Sequence, residues 1–127
     1  MNWIDDYLNE YYRFLKEKTV VNELPSSEWV EISTPFTDVF NDSIEIYVKR
    51  NNGKVVLSDD GKTLKNLELS GIEISRSAKR KEMLDRILLN FGINLNGNEF
   101  LTEATEQNFP QKKLNLISAK STFTESK

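Results

Sequence analysis

Apolar residues at Trp3, Ile4, Tyr7, Leu8, Tyr11, Phe14 and Leu15 trace one stripe of a helix over residues 2–18. Asp5 and Asp6 in its first turn and Lys16 and Lys18 in its last suit the helix macrodipole. Aromatics at this spacing beside Ile4 and Leu8 are expected to be core, not a platform for unpaired bases, whereas Tyr12 falls off the stripe and should be exposed. After Leu24-Pro25, residues 28–33 alternate as a strand that Pro35 should end, and a loop follows over Asp38–Asp42. Two further alternating runs, Ser43–Lys49 and Lys54–Asp60, meet at Asn52-Gly53, whose residues readily reach the positive φ of a tight hairpin turn. That register sets Val48 opposite Leu57, Tyr47 opposite Ser58 and Glu45 opposite Asp60.

Leu64 and Leu67 predict a short helix over 63–70, with Gly71 at its left-handed end. Met83, Leu84, Ile87, Leu88 and Phe91 predict a longer helix from about Ala78 to Gly92. Residues 93–96 and 98–102 should form a second hairpin around Asn96-Gly97, and Pro110, Leu114, Leu116 and Ile117 a last helix. Fraying is expected from Ser121, giving one domain over 1–120 and a tail over 121–127. The order α-β-β-β-α-α-β-β-α predicts an α+β fold: a mostly antiparallel five-stranded sheet with helices on one face.

The chain has 127 residues, 38% of them hydrophobic, which suits a single core. Seventeen basic against twenty acidic residues leave a net charge of −3, too acidic for coating nucleic acid through a general basic field. Cysteine and histidine are absent, excluding disulfides, Cys/His zinc sites, thiol nucleophiles and a histidine base. No apolar run is long enough to cross a membrane, so the expectation is a cytoplasmic protein with no membrane partner and no cofactor.

Candidate chemistry is confined to two charge clusters. Glu45 facing Asp60, with Asp42 nearby, could hold a divalent metal, and Asp60-Gly61-Lys62 has an acid-x-Lys spacing seen in metal-dependent nucleases. Gly61 marks a turn rather than a strand interior, so the favoured reading is that Asp59 or Asp60 caps the helix that follows. Gly61-Lys62-Thr63 resembles the end of a phosphate loop, but Val56 stands where the upstream glycine would be. Arg76, Lys79, Arg80, Lys81 and Arg86 gather at the start of the helix from Ala78, where an anion would relieve their conflict with the macrodipole. Lys112 and Lys113 would extend that patch if the last helix packs beside it.

Residues 28–36, 41–48, 57–61, 67–72 and 108–113 together resemble the bacterial domain-of-unknown-function family numbered eighteen twenty-eight. The resemblance implies no activity or catalytic residues. It implies that longer members add a second domain after this one, and that members occur in prophage and mobile-element settings. The leading expectation is a non-catalytic binding domain acting through protein contacts, as an accessory that modulates a host nucleic-acid-handling or defence system. Asp38, Asp42, Asp59 and Asp60 would mimic phosphate charge towards a basic partner, and Arg76, Lys79, Arg80 and Lys81 would form a second surface. The alternatives are a metal-dependent phosphodiesterase using Asp42, Glu45 and Asp60 with Lys62, and nucleic-acid binding through the basic patch. The oligomeric state is left open.

Overall fold

The computed structural model describes residues 2–125. Eleven elements follow in chain order: α1 (Trp3–Lys18), β1 (Val20–Glu23), β2 (Val30–Thr37), β3 (Ser43–Asn51), β4 (Lys54–Ser58), α2 (Lys62–Leu69), a 3-10 turn (Ile74–Arg76), α3 (Ala78–Phe91), β5 (Asn94–Asn96), β6 (Glu99–Ala104) and α4 (Phe109–Glu125). The strands form one antiparallel sheet in the order β1-β2-β3-β4-β6-β5. The α+β class stands, with six strands where five were expected. The extra strand, β1, is only four residues long and pairs along the outer edge of β2, with no apolar alternation to announce it.

The register at Asn52-Gly53 is as expected through Tyr47 opposite Ser58, with φ of 51° and 81° at the two turn residues. It stops there. β4 ends at Ser58, so Glu45 and Asp60 do not pair. β2 continues through Pro35 instead of ending before it, because the β2–β3 register shifts between Ser33 and Thr37. Proline lacks a ladder donor, and at this irregularity the Thr34 hydroxyl donates to the Ile44 carbonyl (2.7 Å) in place of a backbone group. The second hairpin turns on Gly97-Asn98, one residue later than expected, since Asn96 pairs with Glu99 and Gly97 has φ 63°.

One face of the sheet carries Ile44, Ile46, Leu57, Phe100 and Ala104, which form a common core with Leu64 and Leu67 of α2, Leu84, Ile87 and Leu88 of α3, and Leu116, Ile117, Ala119 and Phe123 of α4. The helix expected to fray at Ser121 continues to Glu125, because Phe123 is buried in this core. Residues 126–127 of the expected tail lie outside the described residues. The first helix is a larger correction. Asn2 caps it and its charges fall as expected, but none of its residues is buried, and Trp3, Tyr7 and Tyr11 are exposed at 69%, 70% and 49%. It packs chiefly on β2, beside the edge strand β1, whereas α2–α4 pack on β3–β6 and on one another, so no helix layer buries its stripe.

Candidate functional site

A polar cavity opens where β4 ends. Where β4 stops at Ser58, β3 runs on through Ser43–Ile46 without that neighbour, and the chain turns away through Asp59-Asp60-Gly61 into α2. The turn is held by a fully buried carboxylate. Asp59 Oδ1 accepts from Gly61 N (2.8 Å) and Phe100 N (2.8 Å), and Oδ2 accepts from Thr63 N (3.1 Å). Gly61 holds the N-cap position with no side-chain cap of its own, and Asp59, two residues upstream, accepts the free helix N–H of Thr63 as expected and also ties α2 to β6. Its burial removes it from the proposed acidic surface. Asp60 is exposed, with φ 58°, and points to no shared site with Glu45.

Ser43, Ile44 and Glu45 of β3, Lys62, Thr63 and Asn66 of α2, Lys120 and Thr124 of α4, and Asp38, Phe40 and Asp42 of the preceding loop enclose about 310 Å³. Asp38 shapes the loop: its Oδ1 accepts from Phe40 N (2.9 Å) and Asp42 N (3.1 Å). Lys120 sits against β3 with its Nζ donating to the Glu45 carbonyl (3.1 Å), the edge that β4 leaves uncovered. Burial pushes the Lys120 ammonium below the usual lysine range, and Asp59, Asp38 and Glu45 only partly offset that while Lys62 adds to it. Thr63 Oγ1 is buried with no hydrogen-bond partner among the described residues. A buried hydroxyl and a buried ammonium with donor capacity to spare thus line the same polar cavity.

Beside it, Lys62 Nζ donates to Tyr47 Oη and lies 3.5 Å from Glu45 Oε2 and 4.8 Å from the Tyr47 ring centroid. The single Tyr47 hydroxyl proton is shared between Glu45 Oε2 (3.1 Å) and Glu31 Oε2 (3.2 Å). Burial and the neighbouring Glu45 raise the Tyr47 pKa against the opposing pull of Lys62. Burial alone would lower Lys62, but its contacts with Tyr47 and Glu45 outweigh that and raise it.

Of the acidic candidates, the cavity brings together Asp38, Asp42 and Glu45 but not Asp60. Among the described residues no set of three acidic side chains is arranged to hold a metal ion, so the Asp42, Glu45, Asp60 ligand set is not assembled. The basic candidates lie elsewhere. Arg76, Lys79 and Lys81 are exposed and Arg80 half-buried at the start of α3, where Ser77 Oγ already accepts from Arg80 N (3.2 Å) and Glu73 pairs with Arg76 (2.7 Å). Lys112 does not extend this patch. Its Nζ lies 3.8 Å from where a Cβ on Gly92 would stand, at the opposite end of α3, roughly 20 Å away at 1.5 Å per residue.

Sequence reasoning missed Tyr47, Lys120, Thr63 and Asn66 as site residues. Tyr47 and Thr63 read as ordinary strand and helix positions, and Lys120 lay next to the expected tail. A charged residue within the stripe of Leu116, Ile117 and Phe123 was the available signal for Lys120.

Searches of curated proteins and of solved structures find no match. A family model described as Domain of unknown function DUF1828 matches residues 34–122, which include the cavity loop, α2 and the Lys120 turn of α4. The chain belongs to the DUF1828 family.

Proposed function

We propose that the chain is a non-catalytic binding domain whose recognition pocket is the notch beside β3. An acidic side chain of a partner protein enters towards Lys120, Lys62 and Thr63, and basic side chains around it meet Asp38 and Asp42 at the mouth, with exposed Asp60 on the adjoining corner. The observation that carries this reading is the buried Thr63 hydroxyl without a partner in a cavity shared with buried Lys120. An entering acceptor would satisfy both donors, whose burial otherwise costs free energy. The acidic rim gives the encounter its salt dependence and its preference for a basic surface, as a nucleic-acid-handling protein presents. The proposed setting is the one the family resemblance implies, an accessory of a prophage or mobile element acting on a host system.

The test compares capture from bacterial host lysate by the immobilised chain and by two variants, Thr63→Val/Lys120→Met and Asp42→Lys. A partner retained by the wild type and lost with both variants supports the reading. Retention that ignores both variants, or capture of nucleic acid alone through the α3 patch, overturns it.

A further inference from the structure

The notch beside β3 is roomier, and more mixed in charge, than one entering side chain requires. Its volume of about 310 Å³ equals that of roughly ten water molecules at about 30 Å³ each, and reaches the low end of small-molecule pockets, about 300–1,000 Å³. A lone carboxylate group fills only a fraction of that space. Both signs of charge line the walls: Lys62 and Lys120 come from α2 and α4, Asp38 and Asp42 from the loop before β3, and Glu45 from β3 itself.

This lining selects on charge. Lys120, 9% exposed, is a donor only, and its contact with the Glu45 carbonyl (3.1 Å) leaves N–H groups to spare. Thr63, 2% exposed, adds a hydroxyl without a hydrogen-bond partner among the described residues. Both call for an acceptor. A simple anion would supply one but would also face Asp38, Asp42 and Glu45, and a phosphate dianion would face them with twice the charge. A simple cation would suit the acids, yet it would meet both lysines and leave their donors idle. A molecule with both charges answers the whole lining. Its carboxylate accepts from Lys120 and Thr63, while its ammonium group donates to Asp42 and to Asp38, whose Oδ1 alone holds the loop. Asp38 lies close enough to Lys120 to favour its charged form, so a short molecule spans the two. On the reading that the notch is a recognition pocket, we propose that it also binds a small free zwitterion, with a carboxylate and an ammonium group on one short chain, in the place of the partner's side chain.

Calorimetric titration of the wild-type chain with glycine, β-alanine, γ-aminobutyrate and ε-aminocaproate tests this, with acetate, butylamine and inorganic phosphate as controls of one sign. At least one of the amino acids should bind with one site per chain, at least about tenfold more tightly than every control, and its excess should release a captured partner. Thr63→Val/Lys120→Met should weaken it at least about tenfold, with the fold followed by circular dichroism. Asp42→Asn, at an exposed position, should weaken the amino acid without weakening acetate. Absence of binding by all four amino acids, a control that binds as tightly, a partner that stays bound in their excess, or an Asp42→Asn variant with unchanged affinity each overturn the inference. If the double variant loses its fold, Asp42→Asn decides. Capture of a host protein by a chain that binds no amino acid overturns this inference alone, whereas amino-acid binding by a chain that captures no host protein supports it and overturns only the partner reading.

Discussion

Replacing Asp59 with Asn tests the junction on which the cavity is built. The native carboxylate accepts three backbone N–H groups and is 0% exposed. In the favourable amide orientation, Oδ1 keeps Gly61 and Phe100, but Nδ2 replaces the oxygen that served Thr63, leaving two donors facing each other. The flipped orientation is worse, since it opposes both Gly61 and Phe100. The lost charge-assisted hydrogen bond costs about 1.5–3 kcal/mol and the unsatisfied buried donor about 1–3 kcal/mol, together about 2.5–6 kcal/mol. Against a typical total of about 5–15 kcal/mol, that is a large share of the stability of the domain. It corresponds to a drop in Tm of about 10–20 °C for a chain of this size.

Urea unfolding followed by circular dichroism at constant pH measures this cost directly, with Asp60→Asn as the control. Asp60 is exposed at positive φ, a conformation that asparagine tolerates, so the control should stay within about 0.5 kcal/mol of wild type. A cost below about 1 kcal/mol for Asp59→Asn, or a larger one for Asp60→Asn, would refute the capping argument.

Thr63→Val should stabilise the free domain by about 1 kcal/mol, read from the same urea curves, because it removes a buried hydroxyl without a partner. Lys120→Met should stabilise by about 1–2 kcal/mol at pH 7. The depressed pKa of Lys120 means that the unfolded chain binds more protons between its folded value and 10.5, so wild-type stability rises with pH through that window and the advantage of Lys120→Met shrinks there. Tyr47→Phe should cost about 1 kcal/mol at neutral pH through the lost hydroxyl contacts. Since the Tyr47 and Lys62 pKa values are both raised, the stability they supply is lost as pH climbs past 10.0 and 10.5, and Tyr47→Phe should flatten that alkaline decline in a series of thermal melts. Gly53→Ala should cost about 1 kcal/mol in thermal melts through its φ of 81° alone, as no atom lies within 4 Å of the added Cβ.

Elements with strong periodicity or a committed turn were legible in the sequence: α3 from its apolar stripe to Gly92, the β3–β4 register from Asn52-Gly53, and the helix cap from Asp59. What was not legible came from tertiary context. β1 is a strand because β2 offers it an edge, not because Val20–Glu23 alternates. Pro35 reads as a strand terminator, and only the register shift opposite Ile44 makes it tolerable. The stripe of α1 is amphipathic as its spacing predicts but is not core, since periodicity says that a face is apolar without saying what covers it.

The candidate site follows the same division, because it lies where regular structure stops. A hairpin register extrapolated past Ser58 places Glu45 against Asp60 and suggests a metal. Instead the chain turns on the buried Asp59, the carbonyl of Glu45 is left for Lys120, and α4 must continue beyond Ser121 for Phe123 to anchor it and for Thr124 to complete the wall. One carboxylate thus acts inward as a structural group, fixing the backbone of Thr63 while its charge partly balances Lys120. The chemistry that remains available to a partner is therefore carried by the side chains that this junction positions, and not by the acidic doublet that drew attention in the sequence.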